Sequence, residues 1–158
     1  MQIYRDRNNM KICLSQKNYL KKILRRFNMQ DCKSVSTPLL NNFKLSSSMS
    51  HSNDEEKMGM SRVPYASVVG SLIFSMICTR PDIAQAVGMV SHYMLNPGWE
   101  HWNTAKKVIK YIKGTTNVTY VMKDQTLLLE VMLIQIMQVI LIKVNPPQDM
   151  CLFLLAEL

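Results

Sequence analysis

The chain has 158 residues, of which 47% are hydrophobic and 19% charged, with a formal net charge of +8. This length suits one ordinary domain rather than two, and the composition excludes wholesale disorder. No apolar run is long enough to span a bilayer, and the first residues lack the apolar stretch of a secretory signal. Four cysteines without paired spacing argue against a zinc site or a disulfide framework and favour a reducing compartment: Cys13, Cys32, Cys78 and Cys151. We therefore expect an intracellular protein, cytoplasmic or nuclear, with no membrane partner.

The positive charge is concentrated in two short stretches. Residues 1–34 carry a net charge of +7 and residues 101–130 carry +3, whereas the two remaining stretches each carry −1. Clustered positive charge is typical of proteins that bind a polyanion such as nucleic acid. Solvated helix faces explain the same clustering equally well when charge is the only observation.

The first half of the chain predicts a hairpin, a helix and a linker. Residues 1–14 place the turn-forming pair Asn8-Asn9 between two apolar stretches, which predicts a β-hairpin. Ser15 is a candidate N-cap for a helix over residues 16–29. Four apolar residues of that helix recur at the spacing of one buried stripe: Leu20, Ile23, Leu24 and Phe27.

A long stretch without periodicity follows, over residues 30–53, and predicts a linker. The acidic triplet Asp54-Glu55-Glu56 is typical of the first turn of a helix. Residues 64–78 are apolar around most of a helical circumference, which predicts a buried helix.

The second half predicts two more helices and two strands. Thr79 is a candidate N-cap with Asp82 at the third helical position, and this helix is expected to run to about Leu95. The next helix runs from about Trp99 to Lys113, with five residues facing inward: Trp102, Ala105, Val108, Ile109 and Ile112. Gly114 then lies where a left-handed C-cap belongs. Residues 118–122 and 127–130 predict two short strands.

No catalytic constellation is evident in the sequence. His51, His92 and His101 share no metal-ligand spacing with one another or with a cysteine, so each is interpreted as a surface or core histidine. The chain has no glycine-rich phosphate loop. The remaining candidates are the basic helix faces, which could follow a phosphate backbone without reading its sequence. Their residues are Lys17, Lys21, Lys22, Arg25, Arg26, Lys106, Lys107, Lys110 and Lys113.

Several longer motifs resemble a known family. They include Leu14-Ser-Gln-Lys-Asn-Tyr-Leu, Val63-Pro-Tyr-Ala-Ser-Val-Val-Gly-Ser-Leu, Cys78-Thr-Arg-Pro-Asp-Ile-Ala and Lys110-Tyr-Ile-Lys-Gly-Thr. In order, over roughly residues 1–130, they resemble the end of the reverse transcriptase in the Pol polyprotein of copia-type, Tnt-like LTR retrotransposons. The resemblance covers the thumb and connection region up to the start of RNase H.

The resemblance implies a division of the chain. Residues 1–34 correspond to the end of the palm and thumb, with the hairpin gripping the primer and the basic helix lying along the template–primer duplex. Residues 35–62 form a linker, and residues 63–116 form a connection-like helical region. Residues 117–130 hold the first strands of an RNase H domain. The expected fold class is α+β and mainly helical, with an irregular apolar tail over residues 131–158.

The tail departs from the family pattern in a way that indicates a lost base. In this family the strands lead into a sequence like Gly-Tyr-Ala-Asp-Ser-Asp-Tyr-Ala-Gly-Asp, whose first aspartate is an RNase H metal ligand. When one base is restored before the codon of residue 131, the shifted reading frame can encode that string. Methionine has a single codon, which ends in G, so the first base of the shifted codon after each methionine is fixed. Met137-Gln138 forces an alanine and Met150-Cys151 a valine, both as the family has them. The absence of glycine after Gly114 agrees, because the glycine codons of the tail would be read out of frame.

These features together predict an inactive relic. The polymerase motif Tyr-Val-Asp-Asp lies N-terminal to the matched region in this family, and the first RNase H ligand is lost in the tail. The ancestral enzyme would use Mg²⁺ or Mn²⁺, whereas this chain is expected to need no cofactor and no small-molecule substrate. Its expected partner is an RNA or DNA template–primer, bound weakly. The alternative is a domesticated protein-interaction module, effector-like or regulatory, with no role on nucleic acid.

Sequencing the genomic locus tests the frameshift. We expect the codons of residues 131–158 to contain the family string one base out of frame, beginning near the codon of Glu130. A locus whose shifted frame lacks that string would contradict the interpretation.

Overall fold

The computed structural model describes residues 1–39, 45–50 and 54–122. These residues form a small antiparallel sheet and a larger group of helices, so the predicted α+β, mainly helical class is confirmed. The predicted hairpin is present as β1 (Gln2–Asp6) and β2 (Lys11–Ser15), paired from Gln2 opposite Ser15 to Asp6 opposite Lys11.

The hairpin turn is organised by an aspartate. The Asp6 carboxylate accepts hydrogen bonds from the backbone N–H groups of Asn8 and Asn9, each at 3.1 Å. Aspartate favours such turns because its short side chain can bond to the backbone two or three residues ahead. Met10 completes the turn with a left-handed φ of 47°, a conformation that costs energy for a residue with a long side chain.

A third strand, β3 (Tyr120–Met122), lies against the other side of β2, with Val121 opposite Cys13. A strand was predicted here, but its pairing with the N-terminal hairpin was not. The second predicted strand, residues 127–130, and the tail from residue 131 lie outside the described residues. The pairing joins residues assigned by resemblance to two different domains.

Five α-helices pack beside the sheet in the described part of the chain: α1 (Lys17–Arg26), α2 (Asp54–Ser61), α3 (Tyr65–Thr79), α4 (Ala84–Ser91) and α5 (Trp99–Gly114). Short 3-10 turns occur at Ser47–Met49 and Pro81–Ile83. The helix α2 begins at the acidic triplet, as predicted, and lies inside the predicted linker. The helix α4 ends at Ser91, earlier than the expected Leu95.

No single described helix is both long enough and apolar enough to cross a membrane. The segments Glu55–Ser61 and Tyr65–Thr79 meet those two measures only when counted together, and they are bent by 48° where they join.

One hydrophobic cluster holds α1, α3, α4 and α5 together. Three residues of the predicted α1 stripe, Leu20, Ile23 and Leu24, are buried in it. Phe27 and Trp102 are half-buried and pack against its edge. Burying each large aliphatic side chain contributes roughly 1.5–3 kcal/mol relative to exposure, so this cluster is the main source of stability for the helical layer.

Two predicted helix caps differ from those in the structure. Gln16, rather than Ser15, occupies the N-cap position of α1, and Thr79 is the last residue of α3 rather than the cap of the next helix. The Thr79 hydroxyl donates to Gln16 Oε1 at 2.8 Å. Both side chains are buried, and this bond across the fold gives the Thr79 hydroxyl and the Gln16 Oε1 a protein partner.

Gly114 is also not the predicted left-handed cap. It is the last helical residue of α5, and no glycine in the described ranges has a positive φ. Thr115 occupies the C-cap position instead, and its N–H and its hydroxyl both donate to the Tyr111 carbonyl. A side chain at position 114 would meet the Ser34 Cβ at 3.2 Å, so the glycine allows residues 34–35 to pass close to α5.

The junction between α3 and α4 is fixed by a buried arginine. The Arg80 side chain is 1% exposed, and its Nε and Nη2 donate to the two carboxylate oxygens of Asp82 at 2.8 and 2.7 Å. Its Nη1 and Nη2 also donate to the carbonyl and hydroxyl of Thr115 at 3.2 and 2.7 Å. The Tyr111 hydroxyl donates to the same carboxylate at 2.9 Å. Asp82 is therefore the partner of Arg80 rather than the capping residue that the sequence suggested.

The ion pair of Arg80 and Asp82 also changes the pKa of the Asp82 carboxyl group. Partial burial opposes ionisation of Asp82, but the hydrogen bonds and positive charge of Arg80 outweigh it and hold the pKa of Asp82 below its ordinary value. A depressed carboxyl pKa stabilises the fold at neutral pH, and that contribution is lost as the pH falls through the folded-state pKa.

Removing the Asp82 charge should destabilise the fold more than removing the Tyr111 hydroxyl. We expect Asp82→Asn to lower the free energy of unfolding by about 2 kcal/mol, because the substitution leaves Arg80 buried without its counter-charge. The cost is less than for a fully buried pair, because Asp82 is partly exposed. Tyr111→Phe should cost about 1 kcal/mol. Urea unfolding of the three proteins at pH 7 measures both. The difference in unfolding free energy between the wild type and Asp82→Asn should shrink below pH 3.8. Equal losses of stability in Asp82→Asn and Tyr111→Phe would contradict the role of Asp82 as the counter-charge of Arg80.

Candidate nucleic-acid interface

The outer face of α1 is basic because its apolar stripe is turned into the core. Lys21, Lys22, Arg25 and Arg26 are exposed, and Lys17 is half-buried at the start of the helix. The Arg26 guanidinium lies 5.6 Å from the centre of the Phe27 ring, a cation–π distance. No acidic residue lies within this helix, so its outward charge is uniformly positive.

The basic face of α5 is less uniform. Lys106, Lys107 and Lys110 are half-buried, and the Lys106 ammonium lies 5.6 Å from the centre of the Trp102 ring. The Lys113 ammonium donates to the Cys32 carbonyl, so this lysine joins α5 to the segment after α1. Lys107 and Arg26 also have further interactions with the chain. Three of the four predicted lysines thus line the outside of α5, and the fourth has a structural contact.

The structure brings the two basic segments together. The helices α1 and α5 pack against each other over the hydrophobic cluster, although some eighty residues separate them along the chain. The sequence predicted each face separately and gave no signal that they are neighbours. Adjacent faces of one sign reinforce each other's potential and raise the local concentration of a polyanion.

The hairpin adds cations that were not among the predicted site residues. Arg5 and Arg7 are exposed and Lys11 is half-buried, on strands and a turn that lead directly into α1. The net charge of +7 over residues 1–34 could have pointed to Arg5, Arg7 and Lys11 in the sequence. Tyr19, beside the basic face in sequence, is not an outward aromatic: its ring packs edge-on against Phe74 at 4.9 Å.

The histidines and cysteines take structural positions where they are described. His101 is buried, its Nδ1 accepts the Gly98 N–H at 2.8 Å, and its ring stacks on Tyr93. Burial lowers the pKa of His101, and its position agrees with the interpretation of a surface or core histidine, here a core one. His92 is exposed, and the described cysteines are free thiols. His51 and Cys151 lie outside the described residues.

A shallow pocket of about 590 Å³ lies at the C-terminal end of α5. It is lined by residues 34–36 together with Gly114 and Thr115, next to the carbonyl that holds Lys113. Over the described ranges, no three His, Cys, Asp or Glu residues are grouped as metal ligands.

Comparison with known proteins identifies the class of the chain. It is 52% identical over 116 residues to the retrovirus-related Pol polyprotein from transposon TNT 1-94 of Nicotiana tabacum, which covers 73% of this chain and 9% of that protein. It is 38% identical over 102 residues to the Pol polyprotein from transposon RE2 of Arabidopsis thaliana, which covers 65% of this chain and 6% of that one. The chain is thus a homologue of the retrovirus-related Pol polyproteins of plant transposons.

Within that class the chain is a copia-type Pol fragment, and the resemblance seen in the sequence is confirmed. It spans less than a tenth of the length of these two Pol relatives. A shorter match, 43% identical over 56 residues, is to the secreted RxLR effector protein 161 of Plasmopara viticola and covers 35% of this chain and 39% of that protein. No family model matches the chain. No solved structure matches it either.

Proposed function

We propose that this retrotransposon-derived fragment binds nucleic acid without sequence preference, through the paired basic faces of α1 and α5. The observation that carries the proposal is the packing of α1 against α5, which brings together two helices whose basic residues are far apart in the sequence. The lysines and arginines of these helices donate hydrogen bonds to phosphate oxygens, which are the same for every base sequence.

The geometry suits a phosphate backbone. At 1.5 Å per residue, α1 is about 15 Å long and α5 about 24 Å long, so each spans several phosphates of a nucleic-acid strand. Lys21 and Lys22 lie on one turn of α1 and Arg25 on the next, and all three are exposed. Each phosphate that they neutralise releases bound counterions, so affinity should depend strongly on salt.

Salt titration tests this proposal. Binding of a fluorescent duplex to the full chain should weaken steeply with added NaCl, and duplexes of unrelated sequence should give the same curve. Lys21→Gln/Lys22→Gln should reduce the slope of log affinity against log salt by about 2 and weaken binding at least about tenfold near 0.1 M salt.

The matched control is Lys57→Gln/Arg62→Gln, which removes two exposed cations in and just after α2. This variant should show the same slope of log affinity against log salt as the wild type. A flat salt dependence, or equal weakening in the control, would contradict the proposed face.

We further propose that the 158-residue chain alone has neither polymerase nor RNase H activity. Both reactions need carboxylates that hold divalent metal ions. Among the described carboxylates, Asp82 is held by Arg80 and Asp6 by the hairpin turn. In the sequence, residues 131–142 stand where the family carries its first RNase H ligand.

Incubation of the purified chain with a primed RNA template and Mg²⁺ or Mn²⁺ measures both activities. We expect no primer extension and no RNA cleavage above the protein-free blank, while binding to the same template remains measurable. Extension or cleavage that follows the chain through purification would overturn this part of the proposal.

A further inference from the structure

Four large apolar side chains are exposed on elements that meet at the N-terminal end of α5. Met58 is 65% exposed, Leu95 66%, Trp99 46% and Met49 38%. Exposed apolar groups scattered singly need no explanation, but four of them on elements that lie against one another indicate an interaction surface. We call these four residues the α5 N-terminal patch.

Close backbone contacts join the elements that carry the patch. A Cβ at Gly59 in α2 would lie 3.4 Å from the Trp99 ring, so α2 rests against that indole. Gly98 lies so near the Met49 carbonyl that no side chain fits between them. The Tyr93 hydroxyl donates to the Leu45 carbonyl at 3.0 Å, which holds residues 45–50 against the loop that carries Leu95.

The charge around the patch is opposite in sign to the basic region. Glu55 and Glu56 on α2 and Glu100 on the first turn of α5 are exposed, and the sequence adds Asp54 at the start of α2. The nearest cations along the chain are Lys57 and Arg62, so acidic residues outnumber basic ones here. A nucleic acid is repelled by this end of the molecule, whereas a cationic partner is attracted to it.

We propose that the α5 N-terminal patch binds a short amphipathic helix of a partner protein that carries lysines or arginines beside an apolar stripe. The two methionines provide adaptable contacts, and the Trp99 indole provides a large anchor of the kind that dominates binding energy. The described strands lie in the sheet, at residues 2–6, 11–15 and 120–122, so this end presents side chains rather than a strand edge. A helix that buries its apolar stripe fits such a surface better than an extended peptide, which binds by pairing with a strand.

The probe is a labelled synthetic peptide of leucine and lysine, about four helical turns long, with leucines at helical spacing. We expect it to bind the full chain at physiological salt, and its counterpart with glutamate in place of lysine not to bind. Met58→Ser/Leu95→Ser should weaken binding about tenfold, because it removes apolar contact and leaves the charge unchanged. Glu55→Gln/Glu56→Gln should weaken it mainly at low salt.

The matched control is Met10→Ser, which changes a methionine that is 79% exposed in the hairpin turn. It should bind the peptide as the wild type does, and circular dichroism shows whether each variant is folded. Duplex binding by Met58→Ser/Leu95→Ser should be unchanged, which separates this surface from the proposed nucleic-acid face. Equal peptide affinity in the wild type and Met58→Ser/Leu95→Ser would overturn the proposal. So would a self-association of the wild type that this variant abolishes, since a second copy would then cover the patch.

Discussion

The helical layer depends on keeping one positive charge inside the protein. Removing a guanidinium from water costs several kcal/mol, and Arg80 recovers this only when Asp82 and Thr115 are both in place. Asp82 lies just after α3, and Thr115 just after α5, so the requirement fixes the end of α5 against the α3–α4 junction. With α5 fixed in this way, its apolar residues pack in the cluster that also holds α1, and Lys106, Lys107 and Lys110 lie outside that cluster.

One consequence is an uneven distribution of charge along a single helix. The helix α5 begins beside an acidic, apolar surface that contains Trp99 and Glu100 and continues into a basic face that ends at Lys113. The two proposed activities therefore use different ends of the same rigid element. Neither set of side chains takes part in the Arg80 contacts, so we expect a substitution that removes one proposed activity to leave the other unchanged.

Local patterns in the sequence predicted most elements but few of their partners. The apolar stripe of α1 and the turn at Asn8-Asn9 depend on neighbouring residues, and both were predicted correctly. The caps predicted at Ser15 and Thr79 were wrong, since Gln16 is the N-cap of α1 and Thr79 ends α3. The bond between Gln16 and Thr79 across the fold is a contact that no local pattern contains. The nine candidate cations were identified from charge spacing, but the packing of α1 against α5 comes from the shared core. The pairing of β3 with β2 is equally non-local.

That strand pairing also has a consequence for the order of folding during synthesis. The hairpin of β1 and β2 leaves the ribosome well before β3, which lies at the far end of the described residues. Until then, one edge of β2 offers unpaired N–H and C=O groups to any other extended chain. A nascent product would therefore be prone to aggregate through this edge of β2, which becomes paired once Tyr120–Met122 is made.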